Sequence, residues 1–184
     1  MRHSSDYAVP KGLTSTREFR EKFNQMDSDP NLQREYYQKS KEMLAHRSGN
    51  NGEDLMFYNT QTGKWYISNT GTEAGRPDYN EQIIRGLKES QKGEIVSFHN
   101  YPTGMPPSDS DLNAALKNGY GKGYTIGHNG RIFEYTAPKE LIPESSYLMH
   151  VESFKQLGKN EYDAQIMALN RLSEIYSFDF REVD

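Results

Sequence analysis

Ile95-Val96-Ser97-Phe98-His99-Asn100-Tyr101-Pro102-Thr103-Gly104-Met105-Pro106-Pro107-Ser108-Asp109-Ser110-Asp111-Leu112 passes from an apolar run through a stiff loop into a helix start. The apolar residues before His99 predict a buried strand over 94–98. Three prolines and a glycine then predict a loop of restricted shape. Ser108-x-x-Asp111 predicts a helix N-terminus, with Leu112, Ala115 and Leu116 on its buried face and Gly119 at its end. A strand end and a helix start hold short polar side chains on rigid supports. His99, Ser108 and Asp111 are the groups so placed.

Upstream of this stretch, Asp78-x-x-Glu81 reads as the cap of a helix carrying Ile83, Ile84 and Leu87. Residues 69–77 read as a Gly-rich loop. Leu55–Tyr58 and Lys64–Ser68 read as a hairpin of two strands. Asp29-Pro30 starts a long helix that ends near Gly49, and Ser15-x-x-Glu18 caps a shorter one before it. Downstream, Gly123–Gly127 and Arg131–Tyr135 flank an Asn-Gly turn that contains His128, read as solvated. Two helices complete the chain, over 144–157 and around Tyr162–Tyr176. The order α-β-β-α-β-α-β-β-α-α predicts an α/β (α+β) domain with a mixed sheet flanked by helices in two or three layers. Residues 1–48 read as a tail and helices, 49–138 as the core and 139–184 as a helical extension, all within one compact unit.

The 184 residues include 13 Tyr and 8 Phe, enough large rings to build a core despite a mean hydropathy of −0.95. A formal charge of −4 gives no basic field, so nucleic acid is not an expected partner. No Cys is present, which excludes disulfides, thiolate zinc sites and a Cys nucleophile. No apolar run approaches the ~20 residues that span a bilayer. The polar start predicts no signal peptide, and the expected location is cytoplasmic or virion-associated. His3, His46 and His150 have no spacing that suggests a ligand set. Trp65 reads as sheet packing.

Taken alone, Ser108-x-x-Asp111 reads first as a plain capping box, and His99 as a hydrogen-bonded structural residue rather than a ligand. The complete string, however, closely resembles the JAMM (JAB1/MPN) metalloprotease motif, in which His-x-His-Pro and a short loop precede Ser-x-x-Asp. The likeness is specific over 95–112 and looser from about 42 to 138. It is nearest the JAB-like domains of phage minor head and mobile-element proteins. The resemblance implies a JAB1/MPN-like fold and a Zn2+ site with His99 and Asp111 as ligands. It also implies Ser108 as oxyanion stabiliser and Glu53 as general base, with Glu73 as the fallback. The second ligand position holds Tyr101, and the loop before Ser108 is one residue short. A neutral phenol is a poor zinc ligand. The resemblance therefore implies a degenerate site, with zinc weak or absent and a peptide or protein held in the groove, for example by strand addition. An intact zinc peptidase or isopeptidase and a virion structural module are the alternatives.

Overall fold

The computed structural model describes residues 4–184; His3 lies outside them. Twelve regular elements follow two short 3-10 turns. They are α1 (Arg17–Phe23), α2 (Pro30–Arg47), β1 (Leu55–Asn59), β2 (Trp65–Ser68), α3 (Glu81–Glu89) and β3 (Ile95–Tyr101). Then come α4 (Asp109–Asn118), β4 (Tyr120–Gly127), β5 (Ile132–Tyr135), α5 (Glu144–Gln156), α6 (Glu161–Tyr176) and β6 (Phe180–Glu182). The strands form one six-stranded mixed sheet in the order β2-β1-β3-β4-β5-β6. Only β3 and β4 run parallel among the described strands. A parallel pair needs a crossover, and α4 supplies it.

Alternation along the strands sends successive side chains to opposite faces. Leu55, Phe57 and Ile95 pack under α3, α4, α5 and α6, together with Ile83, Leu112, Val151 and Leu169. Met56, Val96, Phe98, Tyr124 and Ile126 pack under α1 and α2, together with Phe19, Phe23, Tyr36 and Leu44. The result is three layers, helix on sheet on helix. Aromatic rings dominate the second core: Phe98 stacks on Tyr124 at 5.1 Å and meets Tyr36 at 4.8 Å. Trp65 joins this group against Tyr36, Tyr58 and Phe98, which is the packing role its sequence suggests.

Several boundaries depart from the sequence reading. The cap of α1 is Thr16, whose Oγ1 accepts from Phe19 N, because Ser15 is taken up in the preceding 3-10 turn. The cap of α3 is Asn80 rather than Asp78, which instead accepts from Thr70 Oγ1. Asn80 Nδ2 also donates to the Ile67 carbonyl, and Gln82 Oε1 accepts from Ile67 N–H. The outer edge of β2 is thus closed by two side chains. Strand β6 goes unread in the sequence because three residues carry no detectable period; it pairs with β5 and stacks Phe180 on Phe133.

Strand β4 begins three residues before the reading placed it. Register slips between Ile95 and Val96, which face Tyr120 and Lys122, so Gly121 is an extra residue in β4. A Cβ there would lie 2.3 Å from the Gly93 carbonyl oxygen. Backbone on both sides leaves no soft partner to yield. Gly121→Ala is expected to cost about 1–3 kcal/mol, read as a lower urea midpoint with an unchanged m-value.

Candidate functional site

Ser97, His99 and Tyr101 alternate along β3 and all line one cleft of about 520 Å3 on the face covered by α3–α6. Ser108 and Asp111 enter from the first turn of α4. Both directions of the capping box are present: Ser108 Oγ accepts from Asp111 N, and Asp111 Oδ2 accepts from Ser108 N at 2.7 Å. Ser108 Oγ also donates to Asp111 Oδ2 at 2.9 Å. That occupies Oδ2 and turns Oδ1 toward the imidazole. Asp111 Oδ1 lies 3.4 Å from His99 Nε2. The pair is not aligned for a hydrogen bond, and Nε2 has no other partner although His99 is only 3% exposed.

Glu53 arrives from a third element. Leu55 is in register with His99, so Glu53, two residues earlier, lies on the same face level with Tyr101. It is buried and lines the same cleft. Glu73 does not; it is exposed on the 69–80 loop and borders a separate depression with Thr70 and Asp78. A second cavity, about 490 Å3, shares Glu53, Gly75, Tyr101 and Ser108 with the first and continues past Pro102 and Met105. Together they make a groove crossing the end of β3.

The loop from Pro102 to Pro107 is shaped by Gly104. Its φ is +65°, and a Cβ there would fall 2.2 Å from the Asn129 side chain at the tip of the β4–β5 hairpin. The 69–80 loop forms the opposite wall. Arg47 Nη2 donates to the Gly71 carbonyl at 3.0 Å, while its Nε donates to buried Asp54 Oδ1 at 2.5 Å. His46 Nδ1 meets the other oxygen of Asp54 at 2.7 Å.

His128 corrects the sequence reading: it is buried, not solvated. Its Nδ1 donates to the Tyr7 carbonyl at 2.7 Å, so Nε2 accepts from Asn100 Nδ2 at 3.0 Å. Asn100 also donates to the Gly52 carbonyl and accepts from Asp54 N at 2.7 Å. This amide clamps the segment bearing Glu53 to β3. Nothing local in the sequence reveals it, because Tyr7 and His128 meet across 121 residues. The tyrosine walls, Tyr79, Tyr120 and Tyr135, are equally non-local.

The electrostatics follow from burial. The Glu53 carboxyl is pushed up to about 8, chiefly by desolvation and then by Asp111, with Arg47 opposing. Burial lowers the His99 pKa against the pull of Asp111. Burial, then Asp111 and Glu53, hold the Tyr101 phenol far above its ordinary value. The cleft therefore holds a neutral phenol beside His99 and Asp111. A catalytic zinc site takes three protein ligands and a water, and no group of three or more His, Asp or Glu among the described residues is placed to hold a metal. His99 and Asp111 suit a metal; Tyr101 does not complete the set.

Set against protein-family models, curated proteins and solved structures, the chain matches none. No helix among the described residues is long and apolar enough to cross a membrane.

Two outcomes follow for the site residues. Asn100→Ala strands the Gly52 carbonyl and Asp54 N–H in the interior, so a loss of about 2–4 kcal/mol is expected in chemical unfolding. Glu53 carries a folded pKa above its unfolded value of roughly 4.3. Its proton is held more tightly in the fold, so this contribution to stability is full below pH ~4 and is lost as pH rises through about 8. Glu53→Gln is expected to remove that decline and to be more stable than the unaltered protein at pH 8, by on the order of a few kcal/mol. Equal slopes of stability against pH for the two proteins would contradict the assignment.

Proposed function

We propose that this chain is a JAMM-like domain, with a JAB1/MPN-type core, whose metal centre has degenerated and whose groove binds an extended polypeptide. The observation that carries the reading is the convergence of Glu53, His99, Tyr101, Ser108 and Asp111 in one cleft, with the phenol of Tyr101 where the motif has its second imidazole. The groove supports the polypeptide part. Two adjoining cavities on either side of Tyr101 and Ser108 give the length an extended ligand needs, and their lining mixes apolar and polar groups as binding clefts do. No cationic surface or membrane-spanning helix is part of this reading. The protein's place in a phage or mobile element rests on the sequence likeness alone.

A zinc-dependent peptide or isopeptide hydrolase is the second reading. It is favoured by one observation, the Glu53 carboxyl poised near neutral pH in the cleft, as a general base would be.

Metal analysis separates the two. Protein purified without chelator is expected to contain well under one zinc per chain, and Tyr101→His to bind about one. Stoichiometric zinc in the unaltered protein would overturn the degenerate reading in favour of the hydrolase. No gain in Tyr101→His would show that the motif resemblance has misplaced the site.

A further inference from the structure

The groove has one closed end. Ser97, His99 and Tyr101 mark successive levels along it, with Ser97 and Tyr101 about 13 Å apart at the rise of a strand. Level with Tyr101 the first cavity meets the second, which runs on past Pro102 and Met105. Beyond Ser97, where β4 begins opposite Ile95, the walls are joined. The Tyr79 hydroxyl, from the 69–80 loop, meets that of Tyr120 at 3.2 Å, and Asn118 Nδ2 donates to both at 3.1 Å. Wall, floor and the end of α4 are thus clasped together. An extended chain entering past Met105 meets this clasp, so the groove suits a chain end better than a chain that runs through.

The closed end carries donors. Gly123 lies between Ser97 and Tyr135 in the sheet. A Cβ on Gly123 would fall 2.3 Å from the Tyr135 ring and 2.7 Å from its hydroxyl, so the glycine is the gap through which that side chain crosses β4. Tyr135 is 1% exposed and lines the first cavity, yet its hydroxyl has no hydrogen-bond partner among the described residues. Arg76 lines the first cavity and not the second, and it likewise has neither an ion pair nor a hydrogen bond among the described residues. The acidic groups stand further along. Asp111 is level with His99: its Oδ2 is taken by Ser108 and its Oδ1 faces the imidazole. Glu53 is level with Tyr101.

A carboxylate suits the closed end. It is an acceptor-only group whose two oxygens match a guanidinium fork and leave a lone pair for a phenol O–H. Leu55, Ala114 and the Tyr120 ring line the same cavity for an apolar side chain beside it. A neutral amide brings one oxygen and no charge, and an ammonium would meet Arg76 as a like charge.

We propose that the groove holds a polypeptide by its C-terminus, with the terminal carboxylate at the closed end between Arg76 and the Tyr135 hydroxyl. The inference deepens the peptide-binding reading and rests on it.

The test is NMR titration of the full chain, dialysed against chelator so that no metal recruits the ligand. The probes are N-acetylglycine and two pools of Nα-acetyl tetrapeptides randomised at every position, one ending in a free carboxylate and one in an amide. The acid pool is expected to give saturable shifts at Gly123 and Tyr135 and to bind about tenfold more tightly than the amide pool, or better. Arg76→Ala alters an exposed side chain and Tyr135→Phe removes a single oxygen. Each should weaken acid binding about 10-fold and leave amide binding unchanged. Tyr79→Ala unfastens the clasp and should bring the affinities of the two pools closer together. Tighter binding of the acid pool than of N-acetylglycine identifies a polypeptide as the source; equal binding supports the carboxylate site with a small acid as its ligand. Equal affinity of the two pools, or acid affinity unchanged in both Arg76→Ala and Tyr135→Phe, would overturn the proposal and leave the peptide-binding reading standing. Saturation by neither pool would overturn both.

Discussion

One buried amide joins the strand at the floor of the cleft to the segment that carries Glu53. Asn100 is fully buried at the end of β3, and its side chain joins Gly52, Asp54 and His128. The β1–β3 ladder begins at Leu55, so the segment just before β1 is held to β3 by this side chain, while the Gly52–Ala74 bridge ties it to the loop on its other side. Asn100 thus helps set the height of Glu53 relative to His99. Buried polar networks are worth most when every member is paired. Here the amide uses both of its donors and its oxygen, and His128 passes the constraint outward to the carbonyl of Tyr7. The N-terminal segment is in turn pinned by Ser4 and Tyr7 against Gly49.

A second constraint works on the opposite wall. Arg47 and Asp54 are buried together, and removing either charge from such a pair strands the other. Their geometry also explains why the wall is where it is. Arg47 reaches the Gly71 carbonyl, and the Gly52–Ala74 bridge ties the same loop to the segment bearing Glu53. The loop that supplies Arg76, Pro77 and Tyr79 to the cleft is therefore held from the α2 side of the molecule. Charge buried behind the site does the positioning.

Local pattern carried much of this into the sequence. Strand β3 and helix α4 are legible because an apolar run, a proline-rich loop and a capping box follow one another in eighteen residues. The element order predicts a mixed sheet flanked by helices and leaves two or three layers open; the packing of helices on both faces decides for three. His99, Tyr101, Ser108 and Asp111 are close in sequence as well as in space, so their convergence needs only the strand and helix geometry. Glu53 required the family resemblance, because no local signal places residue 53 beside residue 101. What stayed hidden is what long-range contacts decide. The Asn-Gly turn at 129–130 says hairpin and cannot say that His128 is covered by Tyr7. Ser15 and Asp78 satisfy the capping pattern, yet Thr16 and Asn80 win because each has the extended backbone and the better-placed oxygen. Gly121 announces flexibility; only the pairing with β3 shows that it is a bulge.

The closed edge of β2 bears on how copies of this chain behave toward one another. An open sheet edge is a template on which another strand can grow, and proteins in crowded assemblies are under pressure to blunt it. Asn80 and Gln82 occupy the amide and carbonyl of Ile67, the middle of a four-residue strand, so an incoming backbone finds those groups already spoken for. At the far side the sheet finishes in β6, only three residues long. Among the described residues, neither margin offers a run of free backbone long enough to seed fibre-like self-association.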